Sequence, residues 1–454
     1  MSREVSLKSI NPYDGNLLRE FTCHSDQEVK EILSQHKFEY QNWKNQKLDF
    51  RLRALKNLKE ILLKNQEELS RLMTEEMGKP ISEAKAEIKK CHFLCEYYEE
   101  KAKSIFLKRD YEYRDQKSEL HFCPIGTVFC MMPWNFPFWQ VFRAAVPTLL
   151  LGNTVVLKHS ENTTGCSLKL EDIFSKAGFP FTSLVLSVDQ VEAVISNPQV
   201  QGVAFTGSTE VGRIIYGYAA KYIKKSVLEL GGSDPYIVFK DADLELAARE
   251  CVKSRLINTG QSCIAAKRIL IHKDIEGGFL KALIEDIKSY EFGDPLDEKT
   301  SLGVLAKKKI FDELKGLLPV KDDEFSKLVW KWDKEEKKDL FMAPRVYKVK
   351  DHHHPLFQNE TFGPIFSLYV FETTEEAISI ANDSSFGLGA ALFSKDFKKI
   401  KMIATHEIDS GNVAINKMVS SHPAFAFGGE KQSGLGRELA DIGALEFSNL
   451  KTVL

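Results

Sequence analysis

The first hundred residues place apolar side chains at three- and four-residue steps, the spacing of one face of a helix. Ser25 and Asp26 form a plausible cap before a helix that extends to about residue 43. Residues 48–76 carry the longest apolar stripe and predict one amphipathic helix, closed by Gly78-Lys79-Pro80, with a third helix extending to about residue 106. We expect these stripes to face a core and to carry no function of their own.

The pattern changes after this helical region. Residues 111–134 alternate apolar and polar positions around a Pro-Ile-Gly break, which predicts hairpin-type strands. Further along, short β-branched runs alternate with helical segments: 154–160 with 163–177, 183–188 with 189–197, 202–208 with 209–223, and a last run at 226–232. This rhythm predicts a parallel sheet with crossover helices and an α/β fold class. A second α/β section extends from about residue 232 to about residue 425.

Length and composition limit the classes of protein. A chain of 454 residues predicts two or three domains, and its 43% hydrophobic and 28% charged residues are typical of a soluble globular protein. The formal net charge of -2 excludes a strongly basic surface, so we expect neither a nucleic-acid nor an anionic-membrane partner. The first residues have no apolar core of a secretory signal, and the apolar stretch 144–157 is too short to span a membrane.

The eight cysteines indicate a reducing compartment, and we expect the cytoplasm. Cys91 and Cys95 are the one close pair, but CHFLC has helical spacing rather than that of a metal knuckle. His352, His353 and His354 invite a metal interpretation, although adjacent side chains diverge, and a surface loop is the better prediction. We therefore expect no metal.

Ligands of parallel α/β sheets bind beyond the carboxyl ends of the strands, and two such ends are rich in chemistry. Lys158 and Glu161 leave one strand three residues apart, in LKHSE. Another strand stops at Thr206-Gly207-Ser208 and a helix starts at once, which favours a phosphate at the helix N-terminus. The alternative for this second segment is simply a capped helix start.

The segment NTGQSCIAAKR, residues 258–268, places one cysteine among small residues with two cations just after it. Small neighbours leave room for a molecule to approach the sulfur of Cys263. The alternative is that Cys263 is a small packed hydrophobe.

Seven motifs occur in order along the chain: PWNFP (133–137), LKHSE (157–161), FTGSTEVG (205–212), LELGGSDP (228–235), GQSC (260–263), ETFGP (360–364) and FGGEKQSGLGRE (427–438). Together they resemble the NAD(P)-dependent aldehyde dehydrogenase superfamily across essentially the whole chain. The resemblance implies a Rossmann-like cofactor domain in 1–230, interrupted by oligomerisation strands in 107–125, and a catalytic α/β domain in 231–425. Residues 426–454 would form a return segment and an oligomerisation tail of a homodimer or homotetramer.

The resemblance also implies the catalytic roles. Cys263 would attack the aldehyde as a thiolate, and Asn135, with the Cys263 backbone N–H, would stabilise the oxyanion. Glu229 would be the general base that hydrolyses the thioester, and its presence separates this chain from relatives that transfer the acyl group to coenzyme A. A buried structural asparagine is the alternative for Asn135.

For the cofactor, the resemblance implies contacts from Pro133, Trp134, Lys158, Ser160, Glu161, Thr206, Gly207, Ser208, Leu230, Glu360 and Phe362. Glu161 can accept from a ribose 2′-hydroxyl and would repel a 2′-phosphate, so NAD is expected, with NADP as the alternative. The family more often has proline where His159 stands. An exposed loop glutamate is the alternative for Glu360.

The substrate is predicted from Arg143, eight residues after Asn135, with Trp139 on the same helix face. Succinate-semialdehyde dehydrogenases have an arginine at the matching step, and a guanidinium suits a carboxylate. Arg255 is a candidate second clamp, although its offset departs from that subfamily, and Ser420 and Ser421 are candidate donors near the substrate mouth. A structural ion pair is the alternative for Arg143.

Three other functions remain open. The enzyme could oxidise a different semialdehyde or a broad range of aliphatic aldehydes. It could be a cysteine esterase that uses Cys263 and Glu229 without a nucleotide, or a scaffold that kept the fold without catalysis. Nicotinamide reduction separates the dehydrogenase from these last two.

Overall fold

The computed structural model describes residues 5–319, 325–333 and 338–454. The strands are β1 (Ser6–Ile10), β2 (Leu17–Thr22), β3 (Arg109–Tyr113), β4 (Gln116–Pro124), β5 (Thr127–Met132), β6 (Thr154–His159), β7 (Phe181–Ser183), β8 (Val200–Thr206), β9 (Lys225–Glu229), β10 (Asp234–Val238), β11 (Ala266–His272), β12 (Ser326–Lys331), β13 (Arg345–Val349), β14 (Ile365–Phe371), β15 (Phe386–Gly387), β16 (Gly389–Phe393), β17 (Asn412–Ile415), β18 (Glu430–Lys431), β19 (Gly434–Leu435) and β20 (Ser448–Val453).

The helices are α1 (Asp26–Trp43), α2 (Leu48–Lys64), α3 (Gln66–Met77), α4 (Ile81–Ile105), α5 (Trp139–Leu151), α6 (Thr164–Ala177), α7 (Val191–Ser196), α8 (Thr209–Lys221), α9 (Leu244–Leu256), α10 (Glu276–Lys288), α11 (Lys308–Leu317), α12 (Pro355–Gln358), α13 (Thr374–Asn382), α14 (Phe397–His406) and α15 (Ala440–Ala444). Within the described ranges, no helix combines the length and the apolar character that crossing a membrane requires.

The amino-terminal helices follow the apolar stripes, with one difference. Ser25 caps α1 through a reciprocal capping box with Glu28, as the sequence predicts. The single helix predicted over 48–76 is wrong, because the structure divides it into α2 and α3 at Asn65. The Asn65 side chain donates to the Ile61 carbonyl at 2.7 Å and so competes with the continuing helix. Gly78 ends α3 in the left-handed conformation, at φ 80°.

The first large sheet has the strand order β19-β9-β8-β5-β6-β7, with β9 to β7 parallel and β19 antiparallel at one edge. Alternate residues of β5 enter different cores: Val128, Cys130 and Met132 face one cluster, and Phe129 and Met131 face another. The sheet is therefore covered by helices on both faces, as expected for parallel strands. The strand predicted over 183–188 is misplaced, since β7 overlaps it only at Ser183.

The second large sheet has the order β12-β13-β14-β11-β10-β16-β17 and is parallel except for the edge strand β12. Tyr236 and Val238 of β10 face one core and Ile237 faces another. Two parallel sheets therefore confirm the predicted α/β fold class.

A smaller antiparallel sheet has the order β20-β4-β3. The carboxyl-terminal tail runs along β4 with Ser448 opposite Pro124 and Val453 opposite Glu119. Most side chains of β3 and β20 are exposed, so this sheet stands at the periphery of the chain.

A buried ion pair fixes helix α5 against helix α4. Lys79 and Glu87 are almost fully buried, with Nζ and Oε2 2.5 Å apart. The other carboxylate oxygen of Glu87 accepts from the backbone N–H groups of Phe138 and Trp139 at 2.8 and 2.9 Å. A carboxylate at this point satisfies donors that the start of α5 would otherwise leave unpaired.

We predict that Glu87→Ala lowers the free energy of unfolding by about 3–5 kcal/mol, since it leaves the Lys79 ammonium buried without its counter-charge. Urea denaturation followed by circular dichroism measures the loss. Lys89→Ala, an exposed position of the same helix, is the control and should change stability by less than about 0.5 kcal/mol. A Glu87→Ala variant as stable as this control would contradict the assignment.

Candidate active site

A cavity of about 390 Å³ opens between α4, α5 and the loop that precedes β11. Apolar side chains form much of its wall, with polar and charged groups at intervals. Its lining includes Glu83, Glu87, Lys90, Phe136, Trp139, Arg143, Ile257, Cys263, Ile264, Ser420, Ser421 and Phe427. The cavity therefore brings together Cys263 and three predicted substrate residues, Trp139, Arg143 and Ser421.

The loop that carries Cys263 has a strained backbone. Asn258 and Thr259 have φ of 51° and 55°, and Gly260 has φ of 79°, a left-handed region that costs about 1–3 kcal/mol for a non-glycine residue. A Cβ on Gly260 would lie 2.4 Å from the backbone of Gly363, so glycine is required where this loop meets ETFGP. The surrounding structure therefore imposes the conformation that presents Cys263 to the cavity.

Asn135 lies against the same loop. Its Nδ2 donates to the Gln261 carbonyl at 3.2 Å, and the backbone carbonyl of Asn135 accepts from Asn258 Nδ2 at 2.7 Å. The Asn135 side chain is 4% exposed and its Oδ1 has no partner. An amide nitrogen carries two hydrogens, so one remains for a ligand oxygen beside Cys263.

Glu229 ends β9 and is 2% exposed, and neither carboxylate oxygen has a hydrogen-bond partner. Burial and the nearby Glu438 raise the pKa of Glu229 well above its usual range, while Arg143 and Arg437 act in the opposite direction. A Cβ on Gly232 would lie 2.9 Å from the Cys263 carbonyl oxygen, so the LELGG loop touches the nucleophile loop. A carboxyl group whose pKa is raised in this way is suited to exchange a proton with water.

Glu360 joins these loops to ETFGP. Its Oε1 accepts from the Gly232 N–H at 3.1 Å and from Lys267 Nζ at 3.4 Å. Phe362 packs edge-to-face on Trp134, with ring centroids 5.8 Å apart, which places PWNFP beside ETFGP. Glu360 is therefore tied into the site rather than being a free loop glutamate.

Lys267 is one of the two cations seen after Cys263, and the sequence analysis gave it no role. It is 1% exposed, and its Nζ donates to the carbonyls of Ser262 at 3.0 Å and Cys263 at 2.6 Å. Burial raises the pKa of the Cys263 thiol to about 11, while the positive charges of Lys267 and Arg143 lower it. Lys267 thus favours the thiolate, the form that attacks carbonyl carbon.

Further predicted cofactor residues lie at the carboxyl ends of β6 and β8. Burial lowers the pKa of Lys158, and the neighbouring Glu161 opposes that effect. Lys307, which the sequence analysis missed, donates to Ser160 Oγ at 3.1 Å, and its pKa is lowered to about 8 by burial. No motif marks Lys307, because it reaches this point from a distant segment.

His159 takes a structural role at the position where proline is more common. Its Nδ1 lies 2.9 Å from the Ser160 backbone nitrogen and 2.7 Å from Thr163 Oγ1, which leaves Nε2–H to donate to the Pro137 carbonyl at 2.9 Å. Burial lowers the pKa of His159 to about 4, so the ring is neutral. The imidazole therefore connects the end of β6 to PWNFP.

At the β8–α8 turn, the side chain of Ser208 caps α8 by accepting from the Val211 N–H at 3.4 Å. The capped helix start is therefore present, and it leaves the Ser208 hydroxyl proton free to donate. Thr206 Oγ1 is buried without a partner, and Gly207 N–H donates to the Glu229 carbonyl at 3.0 Å. Leu230 N–H donates to the Ser433 carbonyl at 2.8 Å, which holds the start of LELGG in place.

These residues fit a dinucleotide. An orphaned hydroxyl, a free hydroxyl proton and a helix N-terminus lie at the end of β8, and Lys158, Glu161 and Lys307 lie at the end of β6, with β5 between the two strands. Such a donor set suits phosphate and ribose hydroxyls. The residues that would hold the cofactor are Pro133, Trp134, Lys158, Ser160, Glu161, Thr206, Gly207, Ser208, Leu230, Glu360 and Phe362.

Arg143 both lines the cavity and forms an ion pair. Its Nε pairs with a carboxylate oxygen of Glu438, and its guanidinium carbon lies 4.9 Å from the centroid of the Phe427 ring. The Arg143 side chain is 2% exposed and its Nη2 has no partner. Arg143 therefore lines the cavity, as the prediction of a substrate-binding cation requires, and it also forms the structural ion pair that was the alternative.

Arg255 requires a correction. Its Nε donates to the Ile365 carbonyl at 2.6 Å, and its Nη2 donates to the carbonyl and the hydroxyl of Thr361, each at 2.8 Å. It is fully buried in this backbone network, and Ile257 lines the cavity instead. The prediction of Arg255 as a second substrate clamp is wrong, since its Nε and Nη2 are bound to Ile365 and Thr361 and it is not among the residues that line the cavity.

Helix α4 supplies cavity residues that the sequence analysis assigned only to packing. Glu83 accepts from the Asn258 N–H at 2.8 Å, and burial raises the pKa of Glu83 to about 7. Lys90 donates to Ser421 Oγ at 2.9 Å, as does Trp139 Nε1. The sequence could have indicated these residues, because they are charged and stand on the helix face that the apolar stripe predicts to be buried.

The histidine cluster lies in a partly exposed turn, and Asp351, His352 and His353 have ligand atoms within 4.8 Å of one another. His352 Nε2 and His353 Nδ1 lie 3.0 and 3.6 Å from a carboxylate oxygen of Asp383. These ion pairs account for the arrangement, and we assign it no metal role.

Comparison with known proteins adds independent support. The aldehyde dehydrogenase family model matches residues 1–453. The chain is 36% identical over 448 residues to the Escherichia coli succinate semialdehyde dehydrogenase [NAD(P)+] Sad, covering 98% of this chain and 97% of that protein. It is 35% identical to a succinate-semialdehyde dehydrogenase [NADP(+)] of Deinococcus radiodurans, covering 99% and 95% of the two chains.

Solved structures give the same result. The succinic semialdehyde dehydrogenase of Streptococcus pyogenes, solved with NADP+, superposes with a TM-score of 0.95 at 31% identity and covers 99% of both chains. An NAD-dependent aldehyde dehydrogenase of Sinorhizobium meliloti superposes with a TM-score of 0.94 at 30% identity, covering 99% of this chain and 91% of that one. The chain belongs to the aldehyde dehydrogenase family, and it is an NAD(P)-dependent enzyme that oxidises aldehydes.

Proposed function

We propose that this enzyme oxidises succinate semialdehyde to succinate. The observation that carries the proposal is Arg143, a buried guanidinium whose Nη2 has no partner in the wall of the cavity that contains Cys263. None of the described residues accepts from this donor, so an acceptor of a ligand would satisfy it, and a carboxylate matches a guanidinium best. The relatives named as succinate-semialdehyde dehydrogenases support the same substrate.

Ser421 supplies a further donor. Its oxygen accepts from Lys90 Nζ and from Trp139 Nε1, each at 2.9 Å. A hydroxyl has two acceptor sites and one proton, so with both acceptor sites filled the proton of Ser421 is left to donate. The distal carboxylate of the substrate would accept it.

The reaction begins at Cys263. Its thiolate attacks the aldehyde carbon, and the oxyanion that forms accepts from Asn135 Nδ2 and from the Cys263 N–H. One such donor is worth roughly 3 kcal/mol of barrier. Bound NAD(P)+ supplies the acceptor for the hydride that leaves this carbon, so that a thioester remains on Cys263.

Hydrolysis of the thioester requires a base. Glu229 takes a proton from water, the water oxygen bonds to the acyl carbon, and the bond to the Cys263 sulfur breaks to release the acid. The buried environment of Glu229 excludes other partners for its carboxylate, since both oxygens lack hydrogen bonds. Once deprotonated, this carboxylate has no protein partner among the described residues that competes with water.

For the cofactor we favour NAD over NADP, because Glu161 can accept from a ribose 2′-hydroxyl and repels a 2′-phosphate. Lys307 and Lys158 lie close enough to Glu161 to interact with its charge. These lysines offset part of the repulsion, which makes NADP the second cofactor.

We further propose a homodimer or a homotetramer assembled through the sheet β20-β4-β3, whose outer strands are exposed. All eight cysteines are free, in keeping with the proposed reducing cytoplasm.

We predict that kcat/KM for succinate semialdehyde exceeds that for butanal by on the order of 100-fold, since butanal has no distal carboxylate and would leave the Arg143 donor unsatisfied. Nicotinamide reduction with each aldehyde measures the ratio. Ser421→Ala should lower the ratio by about 10-fold through the loss of one charge-assisted hydrogen bond. Equal constants for the two aldehydes in the wild type would refute the proposed substrate and leave aldehyde oxidation intact.

We predict that alkylation of Cys263 by iodoacetamide accelerates with pH through the alkaline range, because the thiolate is the reactive form and the pKa is about 11. Lys267→Met removes a positive charge and should raise this pKa, so that less thiolate is present at a fixed pH and alkylation slows by about 10-fold. Peptide mass spectrometry identifies the modified cysteine, with Cys123→Ala as the control. An unchanged rate in Lys267→Met would exclude the proposed effect of that lysine.

We predict that Glu161→Gln raises the ratio of kcat/KM for NADP to that for NAD by about 10-fold, because it removes the repulsion of the 2′-phosphate. Initial rates with both cofactors at saturating aldehyde give the ratio. Glu60→Gln, the same change at an exposed position of α2, is the matched control. An unchanged ratio would show that Glu161 does not discriminate between a ribose 2′-hydroxyl and a 2′-phosphate.

A further inference from the structure

Lys90 projects from α4 into the wall of the cavity. Its Nζ donates to Ser421 Oγ at 2.9 Å and lies 4.2 Å from the centroid of the Trp139 ring. Both partners are electrically neutral. The ammonium is therefore held by a hydroxyl and an indole face, and an ammonium has three donors, of which Ser421 uses one.

Two other charged groups of the cavity already have partners. Glu87 is paired with Lys79 and accepts two backbone N–H groups, and Arg143 is paired with Glu438. Within the part of the chain that the structure describes, Lys90 has no carboxylate within 4.0 Å. Lys90 is thus a partly buried cation without a counter-charge in the wall of the cavity.

Such a site favours an anion. A partly buried cation without a counter-charge loses part of its hydration and no partner replaces it, so an anionic ligand is attracted. Arg143 Nη2 is a second unsatisfied donor in the same wall, and the Ser421 proton is a third. Lys90, Arg143 and Ser421 thus supply three donors and two positive charges in the lining of one cavity.

We propose that Lys90 is the second cation that recognises the distal carboxylate of the substrate, and that it determines the preference for aldehydes that carry an acid group. This inference rests on the proposed function, because it concerns the same cavity and the same class of substrate. Lys90 would thus have the role of second substrate clamp that the sequence predicts for Arg255.

The charge of Lys90 depends on its surroundings. Burial and the positive charge of Arg143 on α5 lower the pKa of Lys90 to about 8, while Cys91 and Glu87 on its own helix and Cys263 on the loop raise it. His422, next to Ser421, also faces it, and the pKa of His422 is lowered by burial, by Lys90 and by Lys417. Lys90 is therefore protonated below about pH 8 and loses its charge above it.

The test uses Lys90→Met, with Lys89→Met as the matched control on the exposed face of the same helix. For each, kcat/KM is measured with succinate semialdehyde and with butanal, and the ratio of the two is compared with that of the wild type. Lys90→Met should lower the ratio by on the order of 10- to 100-fold, while Lys89→Met leaves it unchanged and Lys90→Arg restores much of it. Oxidation of butanal by Lys90→Met also reports that the variant is folded.

The wild-type enzyme provides a second readout that requires no variant. The same ratio cancels the titration of Cys263, which both aldehydes share, and it should fall as the pH rises through about 8. In Lys90→Arg this fall should disappear, because a guanidinium stays charged.

The outcomes separate the two claims. A wild-type ratio near one overturns the proposed substrate. A high wild-type ratio that Lys90→Met leaves intact, or that stays flat as the pH rises from about 8 to about 9, overturns the role of Lys90 and leaves the proposed substrate standing.

Discussion

The buried ion pair between Arg143 and Glu438 controls the electrostatics of the active site. It places a guanidinium and a carboxylate out of water next to Glu229, where the two charges act on the Glu229 pKa in opposite directions. Nη2 of Arg143, which shares an edge of the guanidinium with Nε, has no hydrogen-bond partner. The same pair thus offsets much of the charge of one cation and influences the protonation of Glu229.

Around this pair, the catalytic groups depend on loops that contact one another rather than on any single element. The Cys263 loop is strained at Asn258 and Thr259 and packs through Gly260 against the ETFGP segment. Lys267 spans the carbonyl of Cys263 and the carboxylate of Glu360. Movement of the Cys263 loop would therefore disturb Glu360, and movement of Glu360 would disturb that loop.

The sequence was informative where chemistry is local. Cys263 and Glu229 stand in short motifs of small residues at strand ends, and the structure brings their loops together, although their roles remain proposals. The break at Asn65 was missed because a continuous apolar stripe does not show which side chain will bind its own helix backbone. Arg255 looked equivalent to Arg143, because a linear sequence does not distinguish a cation facing a cavity from one buried against carbonyl groups. Lys90 was missed because it lies on α4, whose apolar stripe predicts packing against the core, and the linear sequence does not show that this side chain faces the cavity.

Covalent attachment of the substrate to Cys263 is the central claim, and trapping the acyl-enzyme tests it most directly. In Glu229→Gln the base is absent, so a thioester formed from succinate semialdehyde and NAD(P)+ should persist long enough for peptide mass spectrometry after acid quenching. We predict a succinyl group on the peptide that contains Cys263, formed together with reduced cofactor. Reduced cofactor with no acyl group on Cys263, or with the acyl group on another residue, would contradict the account.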